Sequence, residues 1–392
     1  MHCFLSSDKE KTMKKVCLLL FVFGFAVSMA FAGGGQARAA DTINLGVIFP
    51  LSGPQAHFGV ESSDGIILAM EEINRAGGIL GRQINLIIAD DENIPANTVA
   101  NFLRLTTQDG VGIVMGSSTS GATLAIAPMA QQQGVVVISP SATAFGVTQV
   151  GDFIFRTCFI DSFQGIVGAN FAFDDLGARR AAVLYDQGAD YNRGLAHAFI
   201  AQFTARGGQI VSQQVYMTGA VDFSAQVTSI AAANPDVVFL PNFLNDVALQ
   251  AMQIRAQGIT APLLGGDGWD GVVGIAGPEI AGGMWSGSFS TETTDPRGMA
   301  FVQAFQARFG RTATQFAALG YDTMLLIADA ITRAGTTDPR AVRDALAATN
   351  AEFVTGVIRF DENRNPIKGA VINEIQLRGG ALVNTYRTTV NP

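Results

Sequence analysis

The stretch from Ile43 to Asp91, INLGVIFPLSGPQAHFGVESSDGIILAMEEINRAGGILGRQINLIIADD, decides the fold. Ile43–Phe49 is a short apolar run cut off by Pro50, and Ile84–Ala89 is a second. Between them Gly59–Arg75 is amphipathic and long enough for a helix, with Gly77-Gly78 as its stop. Near-continuous apolar strands bounded by Gly, Pro and polar clusters are those buried on both faces of a parallel sheet. The rhythm continues with strands at Val111–Met115 and Val135–Ile138, and helices at Pro95–Gln108 and Gly121–Gln133, the latter stopped by Gly134. It then starts again. Ala181–Tyr185, Gln209–Tyr216, Val237–Leu240 and Pro262–Leu264 read as strands. Ser162–Leu176, Tyr191–Ala205, Phe223–Ala233 and Asp246–Gln257 read as helices. Two βα blocks in succession predict an α/β protein with two doubly wound parallel-sheet lobes rather than one large sheet. The last third returns to helices at Arg297–Phe309, Thr314–Ala334 and Pro339–Ala347, then to strands at Phe353–Phe360 and Ala370–Leu377.

The N-terminus sets the compartment. Lys14 and Lys15 precede an apolar run from Val16 to Phe31, and small residues follow, with Ala37-Arg38-Ala39 as an A-x-A cleavage site and Ala30-Phe31-Ala32 as an earlier one. Charged start, apolar middle and small-residue end read as a secretory signal peptide over residues 1–40, with Met13 as an alternative start. A membrane anchor is the competing reading, but spanning a bilayer takes about 20 apolar residues. Cys17 stands at the front of the apolar run, badly placed for lipid attachment after cleavage. The expectation is a periplasmic or extracellular protein. Cleavage removes five Lys/Arg and two acids from totals of 25 and 33, leaving 20 basic and 31 acidic residues, a net charge of −11. Such a surface repels nucleic acid and anionic lipid. Of three cysteines only Cys158 survives, so no intrachain disulfide forms. At about 350 residues the mature chain exceeds the usual single-core limit, again favouring two lobes.

Catalytic chemistry is scarce. His57 and His197 are the histidines left after cleavage, too few and too scattered for a His-based triad. No H-E-x-x-H, zinc-spaced Cys/His cluster, G-x-S-x-G elbow or P-loop is present. Gly266-Asp267-Gly268-Trp269-Asp270-Gly271 satisfies G-x-G-x-x-G but follows a late strand, and its two carboxylates would repel pyrophosphate. A carboxylate on a Gly-rich turn suits a cationic ligand better. No catalytic residue, metal or cofactor is expected.

Several short motifs occur in a specific order. Pro50-Leu51-Ser52-Gly53-Pro54 follows the first strand, Glu72-Ile73-Asn74 and Gly77-Gly78-Ile79 close the first helix, and Asp90-Asp91 ends the second strand. Gly116-Ser117-Ser118-Thr119-Ser120 and Ser139-Pro140-Ser141-Ala142-Thr143 follow the third and fourth. Arg156-Thr157 precedes Asp161-Ser162-Phe163-Gln164-Gly165; Asp186 with Tyr191 and Gly194, Asp222-Phe223-Ser224, Gly320-Tyr321-Asp322 and Phe360-Asp361 come later. Over Ile43 to Leu377 the chain resembles the leucine/isoleucine/valine-binding proteins of bacterial ABC transporters, which have the type I periplasmic binding fold. The resemblance implies two lobes joined by three crossings near Thr157–Asp161, Ser286–Ser290 and Ala370–Asn373. Lobe one would comprise residues 41–158 and 290–371, and lobe two 159–289 and 372–392. A small-molecule ligand would bind between them, and the closed form would be recognised by the transporter's membrane permease subunits; the protein itself is expected to be a monomer.

The resemblance also implies a site. Ser120, at the start of the helix after the third strand, would bind an amino acid's α-carboxylate with hydroxyl and backbone N–H; a Ser at this place also caps its own helix, and both roles can hold together. The Ser141 carbonyl and the Thr143 hydroxyl would meet the α-ammonium, Thr143 also reaching the carboxylate, with Ala142 as a small spacer. Asp267 matches the family's ammonium-pairing acid, usually Glu; being one methylene shorter, it would reach directly or through a water. Phe58, Tyr191, Phe243 and Tyr321 match cleft aromatics, with Trp269 close by, and Phe replaces the commoner Tyr at 58 and 243. His57 and Asn242 are candidates for added polarity. The family's close relatives carry a disulfide between cysteines near 93 and 119; here Asn93 and Thr119 stand instead. Rival readings keep the fold with an amide, urea or aromatic carboxylate as ligand, or take the chain as a ligand-sensing receptor module or an exported enzyme. Asp267 favours a cationic amine over a pure carboxylate.

Overall fold

The computed structural model describes residues 42–391, so the signal-peptide reading lies outside the described residues. The first block folds as a five-stranded parallel sheet ordered β2-β1-β3-β4-β5, with β1 at Ile43–Phe49, β2 at Ile84–Asp90, β3 at Ile113–Gly116, β4 at Val136–Ser139 and β5 at Ile154–Arg156. Helices α1 (Ala56–Arg75), α2 (Pro95–Thr107) and α3 (Ser120–Gln133) connect the strands. Every residue of β3, β4 and β5 is buried, as their unbroken apolar runs require.

The second block gives α4 (Asp161–Asp174), β6 (Arg180–Asp186), α5 (Asp190–Ala205), β7 (Gln209–Tyr216), α6 (Ser224–Ala233), β8 (Val237–Leu240), α7 (Leu244–Ala256), β9 (Leu263–Gly265) and β10 (Met284–Gly287). Its strands pair in parallel and are extended by two antiparallel strands, β13 (Ala370–Arg378) and β14 (Ala381–Val390), in the order β14-β13-β10-β9-β8-β6-β7. Helices α8 (Pro296–Phe309), α9 (Gln315–Ala334) and α10 (Pro339–Ala347) lie between β10 and β13 in sequence, and apolar residues of α9 and α10 complete the core of the first sheet. The chain therefore passes between sheets through residues 157–160, 288–295 and 360–369; the third passage precedes the expected Ala370–Asn373, which pair within β13 of the second sheet.

Three details depart from the expected elements. Phe353–Phe360 is not one strand but a hairpin of β11 (Asn350–Phe353) and β12 (Gly356–Arg359), turned where Gly356 takes φ +104°, a conformation that a side chain disfavours. β5 and β10 are too short to stand out in sequence, and β14 alternates too many polar residues to read as buried. Helices α1 and α9 cross in backbone contact: a Cβ on Gly65 would fall 1.9 Å from the Ala317 carbonyl oxygen, and one on Gly320 2.1 Å from that of Ser62. That close crossing brings Phe58 and Phe316 side by side.

Candidate functional site

Each sheet has one place where strand order reverses: between β1 and β3 in the first, between β6 and β8 in the second. There neighbouring loops leave in opposite directions and open a crevice beyond the strands' carboxyl ends. The first switch point carries Phe58, Ser118, Thr119 and Ser120; the second carries Tyr191 and Phe243. These residues face one another. With Ser141, Phe316, Asp267 and Gly268 they line a cavity of about 10 Å³, room for roughly one water-sized sphere.

The first-sheet wall is a field of donors. Thr119 occupies the N-cap of α3, yet its hydroxyl turns away to Asn93 Oδ1 (2.5 Å), and no side chain caps the helix. The first-turn N–H groups, the positive end of the helix, are thus left for another acceptor. Ser120 Oγ accepts from the Ala144 amide at 3.1 Å and keeps its own proton to donate. Ser141 donates to the Ser118 carbonyl (2.7 Å), and the buried Thr143 hydroxyl completes no hydrogen bond among the described residues.

The second-sheet wall supplies negative charge. Asp267 lies on a short 3-10 turn after β9, is 4% exposed, and its Oδ1 completes no hydrogen bond among the described residues. Burial pushes its carboxyl up to about 6, although Gln164 and Tyr191 stand close enough to oppose the rise. Tyr191 Oη accepts from the Gly268 amide at 3.0 Å, fixing the ring beside the acid. The two walls meet through aromatics: Phe58 lies 5.4 Å from Phe243 and 4.8 Å from Phe316, and Tyr191 stacks on Phe243 at 5.1 Å. Phe58 packs within the apolar cluster of the second sheet although its helix serves the first. Gln315 ties the walls as well, donating from Nε2 to the Asp267 carbonyl (2.9 Å) and from its backbone to Asp270 Oδ2 (2.9 Å). Asn245 reaches across to the Pro54 carbonyl at 2.7 Å.

A donor wall opposite an acid wall, with rings between, is built to hold a small dipolar molecule. The periplasmic binding protein family matches residues 42–381. The chain belongs to that family. A leucine-, isoleucine-, valine-, threonine- and alanine-binding protein of Pseudomonas aeruginosa is 32% identical over 339 residues, 86% of this chain and 90% of its own. Among solved structures, a leucine-binding protein LivK of Thermotoga maritima superposes with a TM-score of 0.84 at 31% identity, over 90% of this chain and 99% of that one. The branched-chain amino acid transporter substrate-binding protein LivJ of Streptococcus pneumoniae, in complex with isoleucine, gives 0.82 at 33% identity, over 88% and 99%.

Not every residue singled out in the sequence reaches the cavity of this family member. Tyr321 does not. Its hydroxyl donates to Glu72 at 2.5 Å and its ring packs on Phe301, 5.0 Å away. The cleft aromatic on α9 is Phe316, five residues earlier, which at about 100° per residue is a different helix face. Trp269 is fully buried in the second-sheet core, its indole N–H bound to the Leu240 carbonyl at 2.8 Å. Ala142 is buried behind the wall, its carbonyl accepting from Arg156 at 2.8 Å. Asn242 spends its amide on Leu184 and Gln250 and on the Asp186 and Asn192 N–H groups, so it adds no polarity to the cleft. The His57 ring is held down to about 4 by burial and by Arg311, which keeps it neutral. Sequence reasoning missed Phe316, Ser118 and Gly268, and used Asp161 and Gln164 as family markers without giving them a role.

Proposed function

We propose that this protein is the extracytoplasmic solute-binding component of an ABC importer and binds an apolar α-amino acid, branched-chain or aromatic, between its lobes. The observation that carries this is Asp267: a buried carboxylate with an unspent oxygen, opposite the uncapped N-terminus of α3. The ligand's carboxylate would take the α3 amides with Ser120 and Thr143, and its ammonium would take Asp267 and the Ser141 carbonyl. Charge-assisted hydrogen bonds of this kind are worth about 1.5–3 kcal/mol each. Phe58, Phe243 and Phe316 would cover the side chain. Phe at 58 and 243 carries no hydroxyl, so nothing in that trio rewards a polar side chain.

A cavity of about 10 Å³ cannot admit such a molecule with the lobes together. The ligand would enter an opened cleft, dock on the first wall and draw the second onto it, about residues 157–160, 288–295 and 360–369. Closure persists only if the ligand interacts more strongly with the closed state than with the open one. The family's members are binding proteins, which supports a role in binding rather than turnover. The signal peptide would deliver the mature monomer outside the cytoplasm, where the closed form meets the permease subunits. The names of the relatives, which bind branched-chain amino acids, support the same reading. An aromatic carboxylate brings no cation or donor to Asp267, and an amide brings a neutral N–H donor but no charge to offset its burial.

The test is calorimetry of the mature protein with leucine, isoleucine, valine and phenylalanine, and with 4-methylpentanoate, which is leucine without its amine. Binding of the amino acids and none of the acid supports the reading. Equal binding of 4-methylpentanoate, or binding of benzoate alone, overturns it.

A further inference from the structure

A second carboxylate stands behind the first. Asp161 opens α4 at the end of the first passage between the sheets, is 1% exposed, and neither of its oxygens completes a hydrogen bond among the described residues. Its backbone amide is fixed to the Thr143 carbonyl at 2.9 Å, so the acid sits beside the unspent Thr143 hydroxyl. A Cβ on Gly194 of α5 would come within 3.3 Å of its Oδ2, so that glycine leaves the carboxylate its space. Gln164, one turn on, has neither side-chain atom engaged and lies against Gly266, next to Asp267. Thr143, Asp161 and Gln164 therefore form, with Asp267 of the cavity wall, a buried group of unspent polar atoms that extends behind the cavity.

We propose that Asp161 is a second acceptor for the ligand's ammonium, and that Asp161 and Asp267 share a proton in the unliganded protein which binding expels. This rests on the amino-acid reading above. Two carboxylates in one dry pocket cannot both ionise without a cation, whereas an ammonium between them lets both do so. Arg156 faces Asp161 from β5; its two Nη atoms donate to the Ala142 and Ala144 carbonyls, its Nε completes no hydrogen bond among the described residues, and none of the three bonds to an Asp161 oxygen. Burial, and then the charge of Asp267, hold the Asp161 carboxyl well above its ordinary range, with Thr143 and Arg156 opposing. The other groups around the pair are Tyr191 on α5 and Cys158 in the passage, both pushed up by burial, the thiol to about 12. Further out, burial lowers Lys368 to about 8 and raises Asp270 to about 7.

The sign follows. A proton held by the empty pair and absent from the complex makes binding tighter as pH rises. The pair titrates as a unit, and what binding releases is the proton that the pair holds when empty. Leucine binding is measured by calorimetry at pH 7.5 in two buffers of different ionisation enthalpy, for the wild type and for Asp161→Asn. The expected result is release approaching one proton by the wild type, and its loss together with at least a tenfold weaker Kd in the variant. Leucine binding with no proton released, or with equal release by both proteins, overturns the proposal while leaving the amino-acid reading intact. Failure of every amino acid to bind overturns that reading itself. Should Asp161→Asn not fold, the wild type alone decides: the logarithm of Kd must keep falling with pH between 6.5 and 8, and a flat line contradicts the proposal.

Discussion

The two walls of the cleft do opposite electrostatic work with similar architecture. Both are loops at a switch point of a doubly wound sheet, both carry an aromatic, and both begin a helix. The first wall has hydroxyls and an uncapped α3 N-terminus and no ionised side chain at the cavity; the second has Asp267 on a turn and Asp161 behind it. A molecule with one charge satisfies one wall and leaves the other desolvated for nothing. On the proposed reading, closing the cleft would select a zwitterion, because that guest makes both burials favourable.

Breaking the second wall should do most. Asp267→Ala removes the charge facing the ammonium and is expected to weaken leucine binding by about 100-fold or more, in line with the 2–5 kcal/mol typical of a buried charge pair truncated on one side. Undiminished affinity in calorimetry would show that the acid wall is not read. The seam between the first wall and the loop after β2 sharpens the comparison differently. Asn93 and Thr119 hold hands through a hydrogen bond where the relatives' disulfide is implied. Replacing both with cysteine and oxidising should raise unfolding free energy by about 2–3 kcal/mol in urea melts and leave the Kd for leucine unchanged. A bridge that forms but weakens binding would mean that Thr119 takes part in the donor wall. Ser120→Ala removes one hydroxyl while the α3 amides remain, so roughly tenfold weaker binding is expected, about 1.4 kcal/mol. Smallest of all is Tyr321→Phe. It leaves Glu72 without its donor and should lower stability by about 1 kcal/mol, with no change in affinity; a change in Kd would return Tyr321 to the site.

How much of this could be read from the chain depends on what each feature is made of. Strand and helix positions follow local periodicity, and β1, β7, β8 and α10 run over the very residues that pattern indicates. Ser120, Ser141, Asp267, Tyr191 and Phe243 sit within a few residues of strand ends, and Phe58 in the first turn of the helix after β1, where position along the chain implies position in space. Phe316 and Tyr321 lie on one long helix, where the face turned to the cleft is set by how α9 crosses α1 at Gly65 and Gly320, a tertiary fact that no local pattern carries. Asp161 was visible as a helix start; its role was hidden because an acid in a first turn ordinarily serves its own helix, and only its buried, unspent oxygens show otherwise. The strand β14 escaped because an edge strand with one wet face mixes polar and apolar residues like a loop.

The orientation of the guest is the most direct test of this division of labour, and a crystal structure of the mature protein with leucine would measure it. The expected result is the α-carboxylate on the amides that open α3, the ammonium within hydrogen-bond reach of Asp267, and the isobutyl group against Phe58, Phe243 and Phe316. Leucine bound with its ends exchanged, or held elsewhere while the two walls still meet, would contradict it.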